Sequence, residues 1–213
     1  MTQNELAHPE LAAVDVADDS GGDFSRSEVI LKGALAAGAV YGTFMVGPFV
    51  RKALAASGGG DVGILNFALT LEYLEADFYD EAKSRAKANG ELKGLINLLA
   101  KDEQEHVAAL TATIKKLGGK PVMKPKFDFA YSNTAGFLKL AQTFEDTGVS
   151  AYNGAAPAIK SKEVLGAAGS IVQVEARHAA AIRLQNDEEP SPNAFDPALG
   201  EAQVLKAVEP FIA

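Results

Sequence analysis

The chain has 213 residues, 47% hydrophobic and 23% charged, which gives room for one ordinary domain with a sizeable core and excludes wholesale disorder. Its net charge of -8 argues against nucleic acid as a main partner, because phosphate binding needs a concentrated basic surface. With no cysteine there is no disulfide framework, thiolate metal site or cysteine nucleophile, so any metal must sit on oxygen and imidazole.

Residues 1–28 are polar and acidic, carry Asp15, Asp18, Asp19, Asp23 and Glu28 around Gly21-Gly22, and show no periodicity; they read as a disordered leader. Residues 29–50 are almost wholly apolar, broken only by Lys32 and followed by Arg51-Lys52. Roughly 20 apolar residues suffice to span a bilayer as a helix, so this segment has the length of an anchor. It also suits an export signal: Ala53-Leu54-Ala55 has the small-x-small form of a cleavage site, and Ser25-Arg26-Ser27 resembles a twin-arginine leader that keeps one arginine. Either reading expects the protein exported or membrane-anchored at the cell envelope. A buried Ala/Gly-rich helix is the alternative, and would leave it cytoplasmic. Gly58 to Gly60 completes the 29–60 region as a linker.

Residues 61–186 predict four long helices. The first is capped by Asp61 and runs to about Asn89, before Gly90; the second runs from about Glu91 to Leu117, ending at Gly118-Gly119. Residues 120–131, with two prolines and alternating Lys and Phe, predict an extended crossing segment. Ser132-Asn133-Thr134 caps a third helix to about Ala156, before Pro157, and the fourth runs from about Lys162 to Asn186. Residues 187–213 form a Pro-containing tail with a short apolar turn or helix at 202–212. Short, long and short connections predict an all-α bundle with a long crossover between helices 2 and 3.

Two of the three histidines end a Glu-x-x-His tetrapeptide, Glu103 to His106 and Glu175 to His178. Residues three apart share a helix face, so carboxylate and imidazole can close on one ion. Both tetrapeptides lie in apolar stripes, Ile96, Leu99, Val107 and Leu110 in one and Ala168, Ile171, Ala179 and Ile182 in the other. A charge aimed at a core must be neutralised, paired or metal-bound. The second and fourth helices match at an offset of 72 (175 minus 103). The first and third match at 73 (145 minus 72): Leu71-Glu72 and Tyr79 answer Phe144-Glu145 and Tyr152. A helical hairpin used twice would bring Glu72, Glu103, His106, Glu145, Glu175 and His178 into one core.

That set, one Glu from each of two helices and one Glu-x-x-His from each of the others, resembles the ligand pattern of ferritin-like di-iron and di-manganese carboxylate proteins. The resemblance covers about residues 61–186. Within that superfamily the chain looks most like bacterial ferritin-like-domain proteins related to desiccation-related proteins, including the tail residues Phe195-Asp196-Pro197, Val204-Leu205 and Pro210-Phe211-Ile212. The rubredoxin module of rubrerythrins is absent, since no Cys-x-x-Cys occurs. The resemblance implies two iron ions, with manganese as the alternative, and a small oxidant, dioxygen or peroxide, as partner. It implies ferroxidase- or peroxidase-type oxidation. Manganese catalase-like dismutation and a non-catalytic, stress-protective bundle are the alternatives. The fold is compatible with a homo-oligomer, but the apolar leader and long tail argue against a ferritin-type cage.

Glu75 lies nearer the middle of the stripe formed by Ile64, Phe67, Leu71, Leu74 and Phe78 than Glu72 does, and burial alone would favour it. The repeat favours Glu72 instead, because position 75 answers Gly148, and leaves Glu75 as an auxiliary ligand. Tyr79 and Tyr152 can hydrogen-bond ligands or relay electrons, although buried tyrosines that only satisfy their hydroxyls are commoner. Asp102 and Glu105 fall off the inward face and read as solvated. His8 carries no motif.

Overall fold

The computed structural model describes residues 59–213. The leader and the apolar segment 29–50 lie outside the described residues, as do the expectations attached to them. Four long helices follow, α1 (Asp61–Arg85), α2 (Gly90–Lys116), α3 (Thr134–Ala155) and α4 (Lys162–Gln185), then a short α5 (Glu201–Val208). Single 3-10 turns occupy Ala156–Ala158 and Glu209–Phe211.

Helix ends show where local sequence and tertiary contacts compete. Asn133 caps α3 as its residue type suggests, its side chain accepting the Gly136 N–H at 2.8 Å, and Ser161 caps α4 through the Val164 N–H at 3.3 Å. Asp61 does not cap α1. It is the first helical residue, and its carboxylate accepts the Lys160 and Ser161 N–H groups, both at 2.8 Å, tying the start of α1 to the start of α4. The helix also stops earlier than Gly90 implied. Lys87 takes a left-handed conformation (φ 53°) just past the helix, and Thr134 Oγ1 donates to Ala86 O at 2.9 Å, satisfying a carbonyl at the helix end. Gly90 thus opens α2.

α1 pairs with α2 and α3 with α4 as antiparallel hairpins, and residues 117–133 make the long crossing between them. This is the connectivity of a ferritin-like bundle. The crossing is fastened to α1 by buried Asn66, whose Nδ2 donates to Lys120 O (3.2 Å) and whose Oδ1 accepts from Val122 N–H (2.7 Å). Its far end pairs with the C-terminus: Phe127 and Ile212 form an antiparallel bridge, with Asp128 N–H donating to Phe211 O at 3.0 Å. Covered by crossing and neighbours, α1 buries every residue from Leu65 to Glu72.

Two apolar clusters fill the bundle. One gathers Phe78, Ile96, Phe137, Phe144, Ile182 and α5 residues Val204 and Leu205; the other gathers Leu69, Leu110, Ile114, Val164 and Ile171 toward the opposite end. Between them, at mid-helix on all four long helices, lies a belt of buried acids. Gly154 positions the tail over α3, because a Cβ there would fall 1.9 Å from Leu199 O, and Leu199 N–H donates to Ser150 O at 2.9 Å.

Candidate metal centre

Glu72, Glu103, Glu145 and Glu175 are fully buried, and His106 and His178 nearly so. The structure brings all six together. Helical periodicity accounts for this: the residues that flank each Glu-x-x-His at three- and four-residue spacings are apolar and seat that face of α2 and α4 against the core.

Ligand atoms from Glu72, Glu103, His106 and Glu175 all lie within 4.8 Å of one another, and so do those from Glu103, Glu145, Glu175 and His178. Glu103 and Glu175 belong to both groups. Around His106 Nδ1 stand Glu72 Oε2 at 3.2 Å, Glu103 Oε2 at 3.1 Å and Glu175 Oε1 at 2.9 Å. Around His178 Nδ1 stand Glu103 Oε1 at 2.9 Å, Glu145 Oε2 at 3.6 Å and Glu175 Oε2 at 3.8 Å. Ligands bonded at about 2.1 Å to one ion sit roughly 3 Å apart, so these separations fit a coordination shell.

The two tyrosines hold terminal carboxylates in a crossed pattern. Tyr79 on α1 donates to Glu145 Oε1 on α3, and Tyr152 on α3 donates to Glu72 Oε1 on α1. Each tyrosine therefore serves the glutamate of the other hairpin, although it shares a helix face with its own. Asp102 corrects the sequence reading. It is only 26% exposed, and its Oδ2 lies 3.4 Å from His178 Nε2, the ring nitrogen pointing away from the carboxylates. Its signal was invisible on α2 alone because the partner comes from α4. Glu105 is solvated, paired with Lys101 at 3.3 Å.

Burial and mutual repulsion both act on the carboxylates of the centre. Burial pushes Glu72 well above the usual carboxylate range, with Glu175 adding to it, and burial likewise lifts Glu145 to about 8 against the pull of His178. Burial also opposes ionisation of Glu103, but the hydrogen bond from His106 and the nearby His178 imidazole outweigh it and hold that group at about 2. Burial disfavours the His106 imidazolium, yet Glu103, Glu175 and Glu72 raise it to about 12; His178 is raised for the same reason by Glu103, Glu145 and Glu175.

Whether these residues suit metal ions can be judged from atoms with no hydrogen-bond partner. Glu103 Oε1, Glu145 Oε2, both oxygens of Glu175 and His178 Nδ1 are buried without one; several lie near an opposite charge, but not in hydrogen-bond geometry. Such atoms are costly inside a protein unless something else binds them. An all-oxygen-and-imidazole donor set of this kind fits iron or manganese.

The ferritin-like domain family profile matches residues 60–188, more than half of the chain, and the protein belongs to that family. No curated protein matches the chain. The match reaches the ferritin-like domain and does not extend to the narrower likeness to desiccation-related proteins.

Proposed function

We propose that Glu72, Glu103, His106, Glu145, Glu175 and His178 hold two iron ions, and that the protein reduces dioxygen or peroxide in a ferroxidase- or peroxidase-type oxidation. The observation that carries this reading is the sharing of Glu103 and Glu175 between two four-residue groups, each completed by one further glutamate and one histidine. Two adjacent ions would supply the electrons that reduce the oxidant. The chain's own residues supply the rest. Glu103 and Glu175, common to both groups, would be shared by the two ions, while Glu72 with His106 and Glu145 with His178 would each complete one position. Tyr79 and Tyr152 fix the orientation of the terminal carboxylates. The two apolar clusters exclude water above and below.

Export or anchoring through residues 29–50 belongs to the same proposal, and N-terminal sequencing of protein from its host tests it. The central test is reconstitution of the full chain with Fe(II) and, separately, Mn(II), followed by metal analysis and oxygen-electrode measurements. Two ions per chain and Fe(II)-dependent oxygen or peroxide consumption are expected. A protein that retains one zinc or no metal would overturn the reading, and oxygen release from peroxide by only the manganese form would reassign it to dismutation.

A further inference from the structure

A fifth carboxylate in the core has no place in the six-residue set. Glu75, one turn beyond Glu72 on α1, is 2% exposed, and its Oε1 is buried with no hydrogen-bond partner. A carboxylate oxygen left so is costly, and a core built only for packing would replace it with leucine at no loss of volume. Its position is defined by Gly148 on α3. A Cβ at Gly148 would lie 3.1 Å from Glu75 Oε1 and 3.7 Å from both Glu75 Oε2 and Glu175 Oε2. Glu75 therefore occupies the space that a side chain at position 148 would fill, next to one of the two carboxylates common to both groups.

The internal repeat makes this arrangement directional. Adding the 73-residue offset to 75 gives 148, so the two positions are equivalents in the doubled hairpin. One half contributes the carboxylate, and the other contributes the vacancy it enters. The six other donors obey the two-fold relation; this pair breaks it.

We propose that Glu75 is a seventh ligand of this centre and its fifth carboxylate, admitted by Gly148, and that it makes the two metal positions chemically inequivalent. This rests on the two-ion reading above. An added anionic oxygen on one position raises affinity there, so the two ions load in sequence. A Cβ at Gly148 would press on the Glu75 carboxylate at 3.1 Å, so the glycine leaves that oxygen its place.

The experiment titrates the metal-free full chain with Co(II), following heat by calorimetry and the Co(II) absorption bands. Wild type, Glu75→Gln and Gly148→Ala are compared, with thermal melting of each metal-free protein as the check on folding. Wild type is expected to bind two ions in two resolved steps. Glu75→Gln, which keeps the shape and removes the charge, is expected to melt no lower than wild type without metal, to weaken one step about tenfold or more and to change its absorption bands. Gly148→Ala should weaken the same step by displacing the carboxylate. Two ions bound by Glu75→Gln with wild-type affinities and spectrum would overturn the role of Glu75 while leaving the two-ion reading intact, since Glu75 would then be only a buried neutral acid. Wild type binding fewer than two ions would overturn both.

Discussion

At the scale of single residues, the centre is held by contacts that cross between hairpins. The Tyr79 hydroxyl reaches Glu145 and the Tyr152 hydroxyl reaches Glu72, so each supplies a donor to a lone pair of a fully buried carboxylate. Tyr79→Phe or Tyr152→Phe should cost the metal-free protein about 1–3 kcal/mol, the usual penalty for stranding a buried polar group, measurable by urea unfolding. Asp102 acts on one side only. The repeat places Val174 at its equivalent position, so the outward nitrogen of His106 receives no matching carboxylate from α4. Asp102→Asn should lower the affinity of one ion about tenfold in a calorimetric titration and leave the other unchanged. The motifs Glu103 to His106 and Glu175 to His178 were legible because a three-residue spacing is local. Asp102 was not, because its partner is 76 residues away.

At the scale of elements, residue type predicted helix ends well wherever the end faces water, and less well where another element supplies the partner. Asn133 caps α3 by its own side chain. Asn133→Ala should cost about 1 kcal/mol in chemical denaturation. Asp61 and Gly90 departed from expectation because the α3–α4 link takes up the Asp61 carboxylate, while Thr134 closes the end of α1. Gly154 illustrates the same dependence. Nothing in the local sequence marks it as essential, yet the tail passes so near that Gly154→Ala must displace Leu199. A lower melting temperature and faster proteolysis of residues 187–213 are expected; unchanged values of both would show that the tail is not seated there.

At the scale of the whole molecule, the buried acids and histidines couple stability to pH. Glu145 is raised to about 8 and His106 to about 12, so the folded metal-free chain keeps protons that the unfolded chain releases above about 4.5 and 6.5. Stability from these groups is full below those unfolded values and is lost as pH rises toward the folded ones. Glu103, held at about 2, works in the opposite sense only below about 4.5. The metal-free melting temperature should therefore fall between pH 5 and pH 8, as read by scanning calorimetry. Metal ions must displace the same protons, so apparent affinity should rise over that interval, with proton release measurable by titration in buffers of different ionisation enthalpy.

The sequence by itself determined the helices, the long crossing and the six converging residues, because period 3.6 and a doubled pattern are properties of the chain read in order. Only the tertiary structure decided the crossed tyrosines, the pairing of Asp102 with His178 and the fit of Glu75 against Gly148. Each of these depends on which faces of different helices meet, and that is set by packing between segments far apart in the chain.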